Sequence, residues 1–221
     1  MKRTGIIAYA LLGIFLSSAL PVAAIDDIRV VIDVSGSMQK TDPNNLRAPA
    51  LRMLNGLIPT GSNAGVWTFG RYVNMEVKWG KVDKQWRSLA DQGADKIHSR
   101  GQFTNIEGAL KRASSGWDKP DPGTRRNLIL LTDGKVDVSK DAARNALSRE
   151  NVLNISIPDL VKQGVKVHSI ALSDQTDETL LKSLALKTQG SFEVANTADD
   201  LQRIFLRMFE RAVKPDTVPL N

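Results

Sequence analysis

Two short and almost wholly apolar runs constrain this chain most: Ile28-Arg29-Val30-Val31-Ile32-Asp33 and Asn127-Leu128-Ile129-Leu130-Leu131-Thr132-Asp133. A strand without alternation is one buried on both faces, which calls for helices above and below a sheet of parallel strands. The intervening segments supply them. Leu46, Leu51, Met53, Leu54, Leu57 and Ile58 recur at helical spacing until Pro59 stops them, and Ile106, Ala109, Leu110 and Ala113 do the same. A polar helix is predicted from Lys140 to about Ile157, with a turn at Gly164. Val165 to Leu172 then reads as strand, and Leu180, Leu181, Leu184 and Ala185 as a helix closed by Gly190. A short strand, Phe192 to Ala195, precedes a last amphipathic helix carrying Leu201, Ile204, Phe205, Met208 and Phe209, with Thr197 and Asp200 spaced as a capping box. Ala64 to Phe69 and Val73 to Trp79, separated only by Gly70-Arg71-Tyr72, predict a hairpin, so one of that pair runs against its neighbours. The expected class is α/β, a mainly parallel, doubly wound sheet covered by helices on both faces.

Such a sheet in a chain of 221 residues needs no staple, and none is on offer, because the sequence has no cysteine. Zinc thiolate sites, iron–sulfur clusters and cysteine nucleophiles are excluded, and two histidines leave little for an imidazole site. Any metal here is held mainly by oxygen. The net charge of +6 invites a nucleic-acid reading, but Lys2 and Arg3 stand ahead of an uncharged stretch, Thr4 to Ile25, that ends in Pro21-Val22-Ala23-Ala24. That is the pattern of a secretory signal peptide over residues 1–24, cleaved after Ala24, and it removes two of the excess positive charges. An uncleaved membrane anchor is the other reading of the same run. Residues 25–213 then form the domain, and 214–221, with Pro215 and Pro219, have linker composition; more protein after them is one reading, a chain that stops there the other. No nucleic-acid partner is expected.

Ligands of doubly wound sheets bind beyond the carboxyl ends of the strands, where strand order reverses. There the first apolar run ends in Asp33-Val34-Ser35-Gly36-Ser37 and the second in Thr132-Asp133-Gly134. In an extended turn, residues two apart face one side, so Asp33, Ser35 and Ser37 share a cavity, and Gly36 lets the backbone fold back. One carboxylate and two neutral hydroxyls leave a dication electrophilic. Mg²⁺, which prefers octahedral oxygen and few protein carboxylates, suits such a site, and a further carboxylate from a partner completes it. Thr104, just before the helix at Ile106, offers a third hydroxyl.

Asp33-Val34-Ser35-Gly36-Ser37-Met38, Phe103-Thr104-Asn105-Ile106 with Ala109-Leu110, and Leu130-Leu131-Thr132-Asp133-Gly134 together resemble the three segments of the metal-ion-dependent adhesion site of von Willebrand factor type A domains, and Gly164 through Gly190 resembles that family's later half. The resemblance implies a three-layer, six-stranded sheet with one antiparallel edge strand. It also implies Mg²⁺ or Mn²⁺ held directly by Ser35, Ser37 and usually Thr104, with Asp33 and Asp133 binding directly or through water. The family often has Gly-Gly-Thr where this chain has Gln102-Phe103-Thr104, which makes Phe103 either a partner contact or an inward-packed side chain, with packing favoured.

The function expected is an exported, metal-dependent protein-binding module of the bacterial periplasm or cell envelope, not an enzyme, whose protein partner presents an Asp or Glu. A Mg²⁺-dependent phosphatase-like enzyme is the alternative from another class, and a structural module with a non-functional metal site a third. Aspartyl phosphatases place a second carboxylate close to the first for acid–base work, where this chain has serine. Asp137 is expected as a solvated loop carboxylate, Thr41, Asp42 and Asn44 in helix-capping roles rather than at a second ion, His168 inside a strand and His98 exposed. Arg71, Arg100, Arg125 and Arg126 either flank the metal face and steer acidic partners or are scattered surface charge.

Overall fold

The structure, a computed structural model, describes residues 25–119, 121, 123–133, 135–172 and 176–213. The proposed signal peptide, residues 1–24, and the tail, 214–221, lie outside the described residues. Strands β1 (Ile25–Asp33), β2 (Asn63–Phe69), β3 (Val73–Lys81), β4 (Thr124–Thr132), β5 (Val165–Ala171) and β6 (Phe192–Val194) form one sheet in the order β3-β2-β1-β4-β5-β6. Every pairing is parallel except β2 with β3, so the hairpin places the antiparallel strand at the edge. The expected architecture is the one observed.

Strand β1 lies at the centre because it is buried from Asp26 to Asp33 on both faces. Ile28, Val30 and Ile32 face one layer, made by α2 (Arg47–Leu57), α3 (Lys84–Ala94) and α8 (Ala198–Val213). Val31 faces the other, made by α4 (Ile106–Ala113), α6 (Ile157–Lys162) and α7 (Glu178–Lys187), with α5 (Ala142–Asn151) tied to α4 through Ser148 and Glu107. A four-residue helix, α1 (Met38–Thr41), follows the first strand and is pinned by the fully buried Met38. Helix α3 has no counterpart among the sequence expectations. Its buried face is Trp86, Ala90, Gly93 and Ala94, and its start is capped by Asp83, which accepts from Trp86 N at 2.7 Å.

The polar helix expected to end near Ile157 instead runs on to Lys162 through a π-helical turn, Val152–Ser156, where Ile157 N–H donates to the Val152 carbonyl. Pro158 explains the widening. It has no N–H to return and its ring crowds the carbonyl four residues back, a conflict that a π turn relieves. The turn also brings Val152 and Ile157, five residues apart, into the core after an α5 that buries only Ser148. The capping box of α8 forms as expected: Asp200 N donates to Thr197 Oγ1 and Thr197 N to Asp200 Oδ2, both at 3.1 Å. Among the described residues no helix is long and apolar enough to cross a membrane.

Candidate metal centre

From β1 the chain goes outward to β2 and β3, then returns to place β4 on the other side of β1. The strand order therefore reverses between β1 and β4, and the carboxyl ends of those two strands carry Asp33 and Asp133. Asp33 is fully buried. Its Oδ1 accepts from Ser35 N at 2.8 Å and its Oδ2 from the Thr132 hydroxyl at 2.6 Å. From there oxygen follows oxygen: Ser35 Oγ lies 2.9 Å from Ser37 Oγ, and Ser37 Oγ donates to Asp133 Oδ1 at 2.9 Å. The Thr41 hydroxyl donates to the other oxygen of Asp133. Four of the five expected ligands are thus joined in a short chain, Asp33 through Ser35 N and Ser35, Ser37 and Asp133 oxygen to oxygen.

Thr104 arrives by backbone pairing. Its N–H donates to the Asp137 carbonyl at 2.5 Å and its carbonyl accepts from Asp137 N at 3.1 Å, while Asn105 N donates to Gly70 O. The residue is buried, and its hydroxyl has no hydrogen-bond partner among the described residues. No side-chain hydrogen bond links it to the other four. Asp137 itself is an exposed carboxylate meeting Asn145 Nδ2 at 3.2 Å, so its contribution to the site is its backbone.

The electrostatics of Asp33 are set by burial. Removal from water pushes its pKa up from 3.8 to about 6 despite the bonds from Thr132 and Ser35, and nearby Asp133 adds to the rise. Among the described residues no cation pairs with this carboxylate. Arg47, which is 1% exposed, comes near but turns its Nη1 to the Asp33 backbone carbonyl at 2.5 Å, and its Nε is engaged by Asp42 Oδ2 at 2.7 Å. A buried carboxylate without a countercharge, beside a second carboxylate and a string of hydroxyls, is an oxygen donor set fitted to a hard dication. Among the described residues no cluster of three Asp, Glu, His or Cys offers a competing site.

Several residues differ from their sequence reading or were absent from it. Thr41, read as a helix cap, instead sits one helical turn beyond Ser37 and bonds the same carboxylate. Asp42 does cap: its Oδ1 accepts from Leu46 N at 2.7 Å, and it also neutralises Arg47. His168 is a strand residue between Ser191 and Asn127, as read, whereas His98 is half-buried, its carbonyl accepting from Arg47. Arg71 and Arg100 are exposed near the candidate centre, but Arg125 and Arg126 begin β4 and so lie at the opposite end of the sheet, Arg125 paired with Asp26 at 2.7 Å. Only two of the four arginines can flank the metal face. Phe103 neither packs fully inward nor stands free: it is half-buried, with the Arg71 guanidinium 4.9 Å from its ring centroid, and it holds φ +62°. That left-handed backbone suits the glycine of Gly-Gly-Thr and strains a bulky side chain.

The model of the von Willebrand factor type A domain matches residues 27–207. The chain belongs to that family. Type A domains are protein-interaction modules, and many hold a divalent metal at the adhesion site. Solved structures with the same fold include a von Willebrand factor type A protein from Catenulispora acidiphila, with a TM-score of 0.69, 17% identity and coverage of 86% of this chain and 43% of that one. Proximal thread matrix protein 1 from the mussel byssus, with a zinc-occupied metal-ion-dependent adhesion motif, gives 0.64, 20%, 86% and 48%. The conserved hypothetical protein BatB from Bacteroides thetaiotaomicron gives 0.64, 16%, 87% and 100%. This type A chain thus spans less than half the length of the first two proteins and the whole of the third. No curated protein sequence matches it.

Proposed function

We propose that this type A domain is an exported, metal-dependent protein-binding module and not an enzyme. Ser35, Ser37 and Thr104 hold Mg²⁺ or Mn²⁺ directly, Asp33 and Asp133 bind it directly or through water, and an Asp or Glu of a protein partner takes the remaining position. The observation that carries this reading is the fully buried, uncompensated Asp33 carboxylate at one end of the Ser35, Ser37 and Asp133 oxygen chain. When bound, the dication supplies an electrophile for the partner's carboxylate. The protein's own residues supply the rest. Thr132 and Ser35 N fix the Asp33 carboxylate, Thr41 turns Asp133 toward Ser37, and Arg47 anchors the Asp33 backbone from below. Arg71 and Arg100, exposed nearby, raise the local concentration of acidic partners.

Export is supported by the signal pattern at residues 1–24, and an envelope location accords with the fold likeness to an aerotolerance-related membrane protein from Bacteroides fragilis (TM-score 0.58, 14% identity). The expected site is the periplasm or cell envelope of a bacterium. The decisive experiment is thermal unfolding with and without Mg²⁺, followed by capture from envelope extract with and without chelator. Wild type should gain about 2.7 kcal/mol at a hundredfold excess of Mg²⁺ over its Kd. Asp33→Ala and Ser35→Ala should gain nothing and capture nothing. Capture that survives the chelator and both substitutions overturns the adhesion-site mechanism.

A further inference from the structure

The far end of the same sheet holds a cavity of about 480 Å³ that the adhesion site does not use. It opens at the amino ends of β1, β2 and β4, where Asp27, Arg29, Asn63, Thr124 and Arg126 lie, some 20 Å along β1 from Asp33 at about 3.3 Å per strand residue. Helix α4 is too short to cover this end. Its place is taken by Trp117, just beyond it, and by Trp67 and Trp79 from the hairpin. The Trp67 ring lies back over Gly65, whose absent side chain makes room: a Cβ there would meet the ring at 2.7 Å.

Arg29 makes these three indoles a frame. Its guanidinium lies 3.6 Å from the Trp117 ring centroid, 5.7 Å from that of Trp79 and 5.8 Å from that of Trp67. Asp27 neutralises it and also accepts from Trp79 Nε1 at 3.0 Å and Trp117 Nε1 at 2.7 Å. Of the two carboxylates that line the cavity, then, Asp27 is spent on internal donors. Asp121 is spent as well, accepting from Gly123 N at 2.9 Å and the Thr124 hydroxyl at 2.8 Å.

Donors, by contrast, are left over. Arg126 is 8% exposed and Trp67 2%, both line the cavity, and Arg126 Nε and Trp67 Nε1 have no hydrogen-bond partner among the described residues. Arg112, exposed at the rim, meets no acid among the described residues. Buried N–H groups without acceptors are uncommon in a folded chain and ask for one. Water answers such groups singly, but flat indole walls with Met75, among lining residues that also carry unanswered donors, make the pattern of a small-molecule pocket.

We infer that this cavity binds a small organic anion with a flat aromatic or apolar body, stacked among Trp67, Trp79 and Trp117, its carboxylate or phosphate head held by Arg112, Arg126 Nε and Trp67 Nε1. The site is independent of the adhesion centre. The indole N–H resonances of the four tryptophans in the ¹⁵N-labelled full chain test it, because three of them line the cavity and Trp86 does not. Benzoate and phenyl phosphate, titrated in parallel, should shift the Trp67 resonance and leave Trp86 still, the stronger of the two naming the head group. Benzyl alcohol should do neither. Arg112→Gln, on the surface, should weaken binding roughly tenfold, the usual share of one charged hydrogen bond. Arg126→Lys should weaken it in protein whose Trp86 resonance shows an intact fold. No shift with either anion at millimolar concentration, equal shifts with benzyl alcohol, or unchanged binding in both variants would overturn the assignment.

Discussion

Asp27 and Asp33 lie on the same face of the same strand, six residues apart and both buried, yet they live in opposite electrostatic worlds. Asp27 is met by a guanidinium and two indole N–H groups. Asp33 is met only by the hydroxyls of Thr132 and Ser35 and the Ser35 backbone N–H, with a second carboxylate nearby and, among the described residues, no cation on its own carboxylate. Burial alone therefore does not tell a structural acid from a binding one. What tells them apart is whether the fold supplies the countercharge or leaves it to be brought in from outside.

The sharpest way to break this contrast is to remove the compensated acid. Asp27→Asn leaves Arg29 charged, buried and unpaired, and should lower stability by about 3–5 kcal/mol in urea denaturation. A loss below about 1 kcal/mol would mean that the tryptophan frame and the Ala113 and Ser115 carbonyls, which accept from Arg29 Nη1, carry the guanidinium without the acid. Asp33→Asn should behave in the opposite way. Without metal it should sit within about 1 kcal/mol of wild type or above it, since it deletes an uncompensated charge, while the Mg²⁺-dependent rise in Tm disappears. A strongly destabilised, metal-free Asp33→Asn would make Asp33 a structural acid like Asp27.

A smaller effect is expected from pH. The Asp33 pKa is raised in the folded state, from 3.8 to about 6, so the native protein holds this proton more tightly than the unfolded chain does. In the absence of metal, its contribution to stability is full below 3.8 and is lost as the pH rises through about 6. Metal binding must displace the same proton, so Mg²⁺ affinity should fall as the pH drops below about 6. Unfolding free energies between pH 4 and pH 7, compared with Asp33→Asn, isolate the effect. A difference between the two proteins that does not change across that window would show that Asp33 titrates normally.

The sequence exposed what is patterned and hid what is solitary. The apolar runs, the hairpin and the capping box of α8 were legible because each is a repeat or a spacing. Helix α3 was not, because its buried face is mostly alanine and glycine around a single Trp86, although Asp83 marks its start. The π turn was hidden behind Pro158, which reads as a helix stop. At the candidate centre, the D-x-S-x-S spacing and the second strand-end acid exposed the oxygen chain. Arg47 escaped notice because pattern reading assigns arginine to the surface, and here it lies beneath the site. Arg29 stood in plain view as a charge inside an apolar strand, but its explanation needed tryptophans from residues 67, 79 and 117 to be brought together.

Gly101 carries a consequence for how this end of the protein acquires its shape. Its N–H donates to the Val34 carbonyl at 2.7 Å, and a Cβ there would lie 2.7 Å from that same oxygen, so the loop ahead of Thr104 is laced to the loop of Ser35 at a separation only glycine permits. Segments sixty-seven residues apart in the chain thus share one seam. They cannot order one at a time: the serine arm and the threonine arm must fold, and fray, as a single cooperative unit. A Gly101→Ala change would accordingly be felt at both arms together, while the tryptophan frame at the other end of β1 kept its form.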